Sequence, residues 1–218
     1  MKLIVLRILA IIFVIVAING CKPKQEQHAK KEQPAEHEQR AKPRTIHEAA
    51  MIGDANSLEE FLKAGVGVNA RERLFSSTPL HFAATEGQKE ITQILVTKGA
   101  DVNATNKNGI TPLMCAMMGQ GDCKEVAEIL IAHGANINAQ DSMGQTPLHV
   151  AILNGQPNMV ILLLEKGADV NIKMNNGETP LDFATSLSQE HFRFGSPMAA
   201  KKKDFEKCAE LLQQHKAK

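Results

Sequence analysis

Eight histidines, four cysteines and 24 acidic residues are the side chains of this 218-residue chain able to move a proton, attack an electrophile or hold a metal. Three of the histidines recur in one setting: Ile46-His47-Glu48-Ala49, Leu80-His81-Phe82-Ala83 and Leu148-His149-Val150-Ala151. None of the three belongs to an H-E-x-x-H pair. No phosphate-cradling glycine loop and no G-x-S-x-G elbow occurs. Cys21, Cys115, Cys123 and Cys208 form no C-x-x-C pair, which excludes zinc-ribbon and thioredoxin-type chemistry. Glu86, Glu125 and Glu165 fall on solvated helix faces without a convergent partner. The residues therefore point to no catalytic site, no metal and no cofactor, and the chain is expected not to be an enzyme. A formal charge of +1 with no Trp and no Tyr argues against nucleic acid as a partner.

What must position these groups is a phrase that returns four times. It reads Thr78-Pro79-Leu80-His81-Phe82-Ala83, Thr111-Pro112-Leu113-Met114-Cys115-Ala116, Thr146-Pro147-Leu148-His149-Val150-Ala151 and Thr179-Pro180-Leu181-Asp182-Phe183-Ala184. The threonines are separated by 33 (78 to 111), 35 (111 to 146) and 33 (146 to 179) residues. Ile46-His47-Glu48-Ala49-Ala50 is a degenerate earlier copy. A second phrase alternates with the first: Gly65-Val66-Gly67-Val68-Asn69-Ala70, Gly99-Ala100-Asp101-Val102-Asn103-Ala104, Gly134-Ala135-Asn136-Ile137-Asn138-Ala139 and Gly167-Ala168-Asp169-Val170-Asn171-Ile172. Thr caps a helix with its hydroxyl, and Pro suits the first helical position, where its missing N–H has no partner to lose. Small alanines let neighbouring helices approach. After a turn at Gly87, Ile91, Ile94 and Leu95 follow the helical period, and Gly99 stands where a helix end needs a left-handed residue. Asn106 to Gly109, Asp141 to Gly144 and Asn175 to Gly177 are tight-turn chemistry. One unit is helix, turn, helix and protruding turn, and the units must stack to bury their apolar faces.

A period near 33 residues with T-P-L-H-x-A resembles the ankyrin repeat. The resemblance implies an all-α solenoid of about five helix-turn-helix units with short hairpin-like turns, spanning 44–218 as repeats near 44–77, 78–110, 111–145, 146–178 and 179–218. It implies that the motif histidine bonds backbone across the turn and braces adjacent repeats. That role is open to His47, His81 and His149, and closed in that form to Met114 and Asp182. It further implies binding of an unknown protein partner along turn tips and first helices. By the family's geometry the exposed positions are Arg73, Leu74, Phe75, Thr85, Glu86, Lys107, Met118, Met143, Leu153, Asn154 and Met174. Met118, Met143, Leu153 and Met174 would form an adaptable apolar track.

Three places depart from the pattern. The turn after the first, more polar repeat spans nine residues from Asn69 to Thr78 where the others span eight, and it lacks the usual Gly. Leu74 and Phe75 lie there beside Arg71 and Arg73, which leaves two readings: an exposed binding finger, or a Phe75 folded back on the stack. The third repeat carries two extra residues near 119–123. Cys115 and Cys123 flank them, as two buried thiols or, in an oxidising compartment, a disulfide. In the fifth repeat a loop at 187–203, with Phe192 and Phe194, precedes a final helix expected over 204–215. There Cys208, Leu211 and Leu212 align with Ile91, Ile94 and Leu95.

Residues 1–20 have the basic start and the apolar run, at 8–18, of a signal peptide. Ile18-Asn19-Gly20-Cys21 resembles a bacterial lipobox, which implies cleavage before a lipidated Cys21 and no free export as a host-directed effector. Residues 21–43 are a polar linker expected to be disordered, with seven basic residues through Arg44 against four glutamates. His28 and His37 are solvated there. Lys22 rather than Asp after the cysteine implies the outer membrane, facing the periplasm. The expected protein is a monomeric, membrane-tethered interaction module of the bacterial cell envelope. The alternatives are an accessory or regulator of a periplasmic enzyme, for example in oxidative-stress defence, or a host-directed effector, against which the lipobox argues.

Overall fold

The computed structural model describes residues 42–119, 123–189 and 201–216, all within the unit Ala41–Lys218. The signal segment, Cys21, His28, His37, Phe192 and Phe194 lie outside the described residues.

Among the described residues there are ten helices and no strand, and the helices form five pairs. They are α1 Ile46–Ile52 with α2 Ala55–Lys63, α3 Pro79–Thr85 with α4 Lys89–Thr97, and α5 Pro112–Met118 with α6 Cys123–Ala132. Then come α7 Pro147–Leu153 with α8 Pro157–Glu165, and α9 Pro180–Gln189 with α10 Lys202–Lys216. The first helices pack in one row, α1 to α3 to α5 to α7 to α9. The second helices pack behind them, α2 on α4, α4 on α6 and α8 on α10. The all-α solenoid expected from the repeats is the observed architecture.

Local chemistry explains the starts. The Thr45 hydroxyl accepts the Glu48 N–H at the head of α1, and the Thr111 hydroxyl accepts the Met114 N–H at the head of α5. Pro occupies the first turn of α3, α5 and α7. Asp54 caps α2 by accepting the Ser57 N–H at 3.0 Å. The helices α1, α3, α5 and α7 have only seven residues each, too few to persist alone, so tertiary packing must hold them. Their alanines do this: Ala49, Ala50, Ala83, Ala84, Ala116, Ala151 and Ala184 are fully buried between adjacent first helices, beside Leu80, Leu113 and Leu148.

The fifth unit differs from expectation. The first helix continues to Gln189, so Leu187 is a buried helical residue and not the start of a loop. The last helix begins at Lys202 and ends at Lys216, longer at both ends than the expected 204–215. Its buried stripe is Phe205, Cys208 and Leu212, while Leu211 is half-buried. Phe205, at the helical offset before Cys208, supplies the apolar bulk that the stripe needs.

Gly119 ends α5 with no room for a side chain. A Cβ there would overlap Cys123 Sγ and lie 2.6 Å from the Thr85 carbonyl oxygen. Gly119→Ala is expected to destabilise the array by about 1–3 kcal/mol, since backbone cannot yield cheaply. A melting curve unchanged from wild type would disprove this close approach.

Candidate functional site: the turn tips and first-helix face

The protruding turns share one construction. At the base of each, one residue donates its N–H back across the turn: Glu72 to Ser77, Asn106 to Ile110, Asp141 to Gln145 and Met174 to Glu178, at 2.9 to 3.0 Å. In three turns its side chain then gathers the N–H groups of the tip. Asn106 Oδ1 accepts from Asn108 and Ile110, and Asp141 Oδ1 accepts from Met143 and Gln145. The longer Glu72 spans the longer turn, accepting from Leu74, Phe75 and Ser77. Partial burial pushes the Glu72 carboxyl up, but these three N–H groups outweigh it and leave its pKa below the usual value. For Asp141 burial prevails over two such bonds, and the pKa is raised.

Adjacent tips are bonded to each other. Lys107 N–H donates to Phe75 O at 2.8 Å, Ser142 N–H to Asn108 O at 2.9 Å and Asn175 N–H to Met143 O at 3.0 Å. Gly109, Gly144 and Gly177 take the left-handed conformation these turns require. In the first finger Ser76 takes it instead, at φ 58°. A second ladder runs through the asparagines of the other repeated phrase. Asn69 Oδ1 accepts the Asp101 N–H, Asn103 Oδ1 the Asn136 N–H and Asn138 Oδ1 the Asp169 N–H, at 2.7 to 2.9 Å. This bracing role was not anticipated; its signal was the asparagine recurring in every copy of that phrase.

The histidines are braces. His81 Nδ1 accepts the Thr78 N–H at 3.1 Å, which fixes the proton on Nε2, and Nε2 donates to the Ile110 carbonyl at 3.0 Å. His149 Nδ1 meets Thr146 in the same way, but its Nε2 approaches the Glu178 carbonyl without closing a bond. His47 Nε2 reaches Ala70 O at 2.8 Å, and its ring stands edge-on to Phe82. Met114 fills the same place in the third repeat, fully buried. Asp182 reproduces only the capping half, accepting from the Thr179 N–H and hydroxyl. Burial pushes His81 and His149 down to about 4, so both are neutral at pH 7 and bound up in structure. Cys115 and Cys123 are both buried thiols, converging on Thr85, and burial pushes Cys115 up to about 12. Among the described residues no His, Cys, Asp and Glu group is placed to hold a metal.

The expected partner residues divide. Arg73, Leu74, Phe75 and Lys107 come together on the first finger and its neighbour. The Lys107 ammonium donates to the Arg73 and Leu74 carbonyls there. Leu74 is 71% exposed and Phe75 36%, so Leu74 projects from the finger while Phe75 is partly covered. Glu86 is exposed at the end of α3. Thr85, Met118, Met143, Leu153 and Asn154 are half-buried. Thr85 donates to His81 O, Met118 and Leu153 pack on the core, and the Asn154 carbonyl accepts the Lys201 ammonium. Met174 is not on the surface at all, at 7% exposed. It occupies the turn-base position of Asn106 and Asp141, which faces inward. The continuous apolar track is therefore broken. A shallow depression of about 320 Å3 lies elsewhere, on α4 and α6, lined by Lys89, Glu90, Gln93, Ile94 and Ile129.

Stacked helix pairs with bonded tips define a repeat solenoid. A family model described as ankyrin repeats (3 copies) matches residues 46–141, and one described as ankyrin repeats (many copies) matches residues 130–184. Residues 46–184 thus belong to the ankyrin-repeat family, whose role is protein–protein interaction. The chain is similar to a Transient receptor potential cation channel subfamily A member 1 homolog of Caenorhabditis elegans, 43% identical over 72 residues, 33% of this chain and 6% of that one. It is similar to 2-5A-dependent ribonuclease of Mus musculus, 36% identical over 72 residues, 33% of this chain and 10% of that one. It is also similar to Protein phosphatase 1 regulatory subunit 27 of Homo sapiens, 34% identical over 67 residues, 31% of this chain and 43% of that one. The chain spans less than half the length of each of these relatives.

The histidines predict a pH dependence. Their folded pKa of about 4 lies below the ordinary histidine value, so the unfolded chain takes up protons first as pH falls. Stability is complete above about pH 6.5 and declines towards pH 4, by on the order of 3 kcal/mol per histidine. Thermal melts of wild type should show this decline. The His81→Gln, His149→Gln double variant should melt lower at pH 7 but with a flatter slope between pH 7 and 4.

Proposed function

We propose that this chain is a lipid-anchored ankyrin array that captures another protein in a bacterial cell envelope, without catalysis of its own. The observation that carries the reading is the row of turn tips joined by backbone bonds from Phe75 to Asn175. It holds Lys107 and Met143 in fixed register along one edge, with Glu86 exposed on the first-helix side. Such an edge meets a folded partner with little ordering cost. The outward side of α10, with Lys203, Glu206, Lys207 and Glu210 exposed, is polar and suits a monomer's end cap. No helix of the described residues is long and apolar enough to cross a membrane. In this reading attachment depends on acyl chains at Cys21, and more than one chain is required for lasting anchorage. Lys22 after the cysteine favours the outer membrane, facing the periplasm.

In a second reading the captured protein is an enzyme that the array regulates. It is supported by the human relative, whose name describes a regulatory subunit of a phosphatase.

Crosslinking in the native envelope, read by mass spectrometry against a Cys21→Ala control, identifies the partner. Met143→Asp changes a half-buried tip side chain whose backbone alone is bonded. It is expected to weaken capture about tenfold, or about 1.4 kcal/mol, with no change in Tm. Undiminished capture would remove the tip edge from the reading. An intact mass without acyl groups on Cys21 would remove the anchor.

A further inference from the structure

The first finger differs from the other tips in ways that the ladder does not require. It is longer by one residue, and its apex reads Arg73-Leu74-Phe75 where the others read Lys107-Asn108, Ser142-Met143 and Asn175-Asn176. Leu74 and Phe75 are, with Ile161, the exposed large hydrophobic residues among those described. The backbone that carries them is fastened on both sides. Glu72 fastens three N–H groups of the finger, the Lys107 ammonium clasps two of its carbonyls, and Ser76 accepts a left-handed backbone.

The charge around this apex is positive. Arg71 and Lys107 bond to carbonyls, which fixes them without neutralising them. Arg73 is exposed, with no carboxylate partner among the described residues. Glu72, the one acid of the finger, turns its carboxylate inward onto the N–H groups. The finger is a projecting apolar point in a basic collar, not a groove.

Its position matters as much. His47 Nε2 touches Ala70 O at 2.8 Å, and His47 is near enough to Glu72 to act on its charge. The base of the finger therefore adjoins the start of α1, where the chain running from Cys21 joins the stack. From Cys21 to Lys42 is 21 residues (42 − 21), which span at most about 70 Å fully extended.

We propose that this finger is a contact for an anionic membrane surface. Leu74 and Phe75 enter the boundary between headgroups and acyl chains, and Arg71, Arg73 and Lys107 meet the lipid phosphates. Two apolar residues hold weakly by themselves. On a chain already anchored the encounter is intramolecular, so a weak contact suffices to set the array's orientation. The inference rests on the proposed lipid anchor for that advantage, but not for the chemistry of the finger.

The chain has no Trp and no Tyr, so Phe75→Trp places a single indole on the apex. The acylated full chain carrying F75W is reconstituted into vesicles of phosphatidylethanolamine and phosphatidylglycerol. The expected result is a blue-shifted emission quenched by brominated acyl chains, abolished by adding Leu74→Asp and Arg73→Glu. A Glu206→Trp variant, with its indole on α10 instead, should stay water-like. The F75W chain that also carries Cys21→Ala should show the same shift, at tenfold or more higher lipid. Intact mass reports acylation independently: a missing acyl group with a persisting shift sinks the anchor and keeps the finger. An acylated F75W chain whose emission stays water-like overturns the finger. A shift that appears only when envelope proteins are added, without lipid, overturns it too and assigns the finger to a protein.

Discussion

Each helix pair has an apolar side that only the next pair can cover. The first helices of the first four pairs are two turns long, and their alanines are fully buried between adjacent first helices. Nothing within a single unit would keep such a helix formed. Stability is therefore a sum of nearest-neighbour terms, and several sets of hydrogen bonds cross from one repeat to the next. The His81 bond to Ile110, the asparagine ladder and the backbone bonds between tips are three forms of that one dependence.

The turns show how one residue position adjusts the array locally. Asn106 and Asp141 gather two N–H groups each, and Glu72 reaches three because its turn is longer. The Met174 side chain has no oxygen to accept with, so it is buried as an apolar base, and Asn176 bonds to Glu178 within the tip instead. The same backbone scaffold thus carries polar or apolar fillings underneath. What differs outside is the apex, and only the first apex is apolar and projecting.

His81, His149 and the described cysteines are absorbed by this architecture. His81 and His149 are buried, uncharged at neutral pH and bonded to the threonine that heads their helix. Cys115 and Cys208 are pushed up to about 12 by burial and stay protonated. What the surface offers a partner is shape and a few exposed side chains on a rigid edge. The relatives agree with this only at the level of the repeats, since each shares about a third of this chain and extends well beyond the matched stretch.

The period, the helix starts and the tight turns were legible in the amino-acid order because each depends on residues a few positions apart. Thr-Pro at a helix head, Gly at a helix end and Asn-Gly in a turn act through local backbone geometry. The same holds for the expectation that His47 and His81 brace turns, which followed from a motif; His149 leaves that bond open. Burial at the tips was not legible. Met174 looked like a surface methionine because nothing in its own turn says that the position faces inward; the preceding tip decides that. Leu187 and Phe205 were placed wrongly or overlooked for the same reason, since whether a segment near an insertion stays helical depends on what packs against it. Local order determined which elements form and how often they recur. Which side chains remain on the surface was decided only when each unit met a neighbour some 33 residues away, because exposure is a property of that contact and not of either sequence alone.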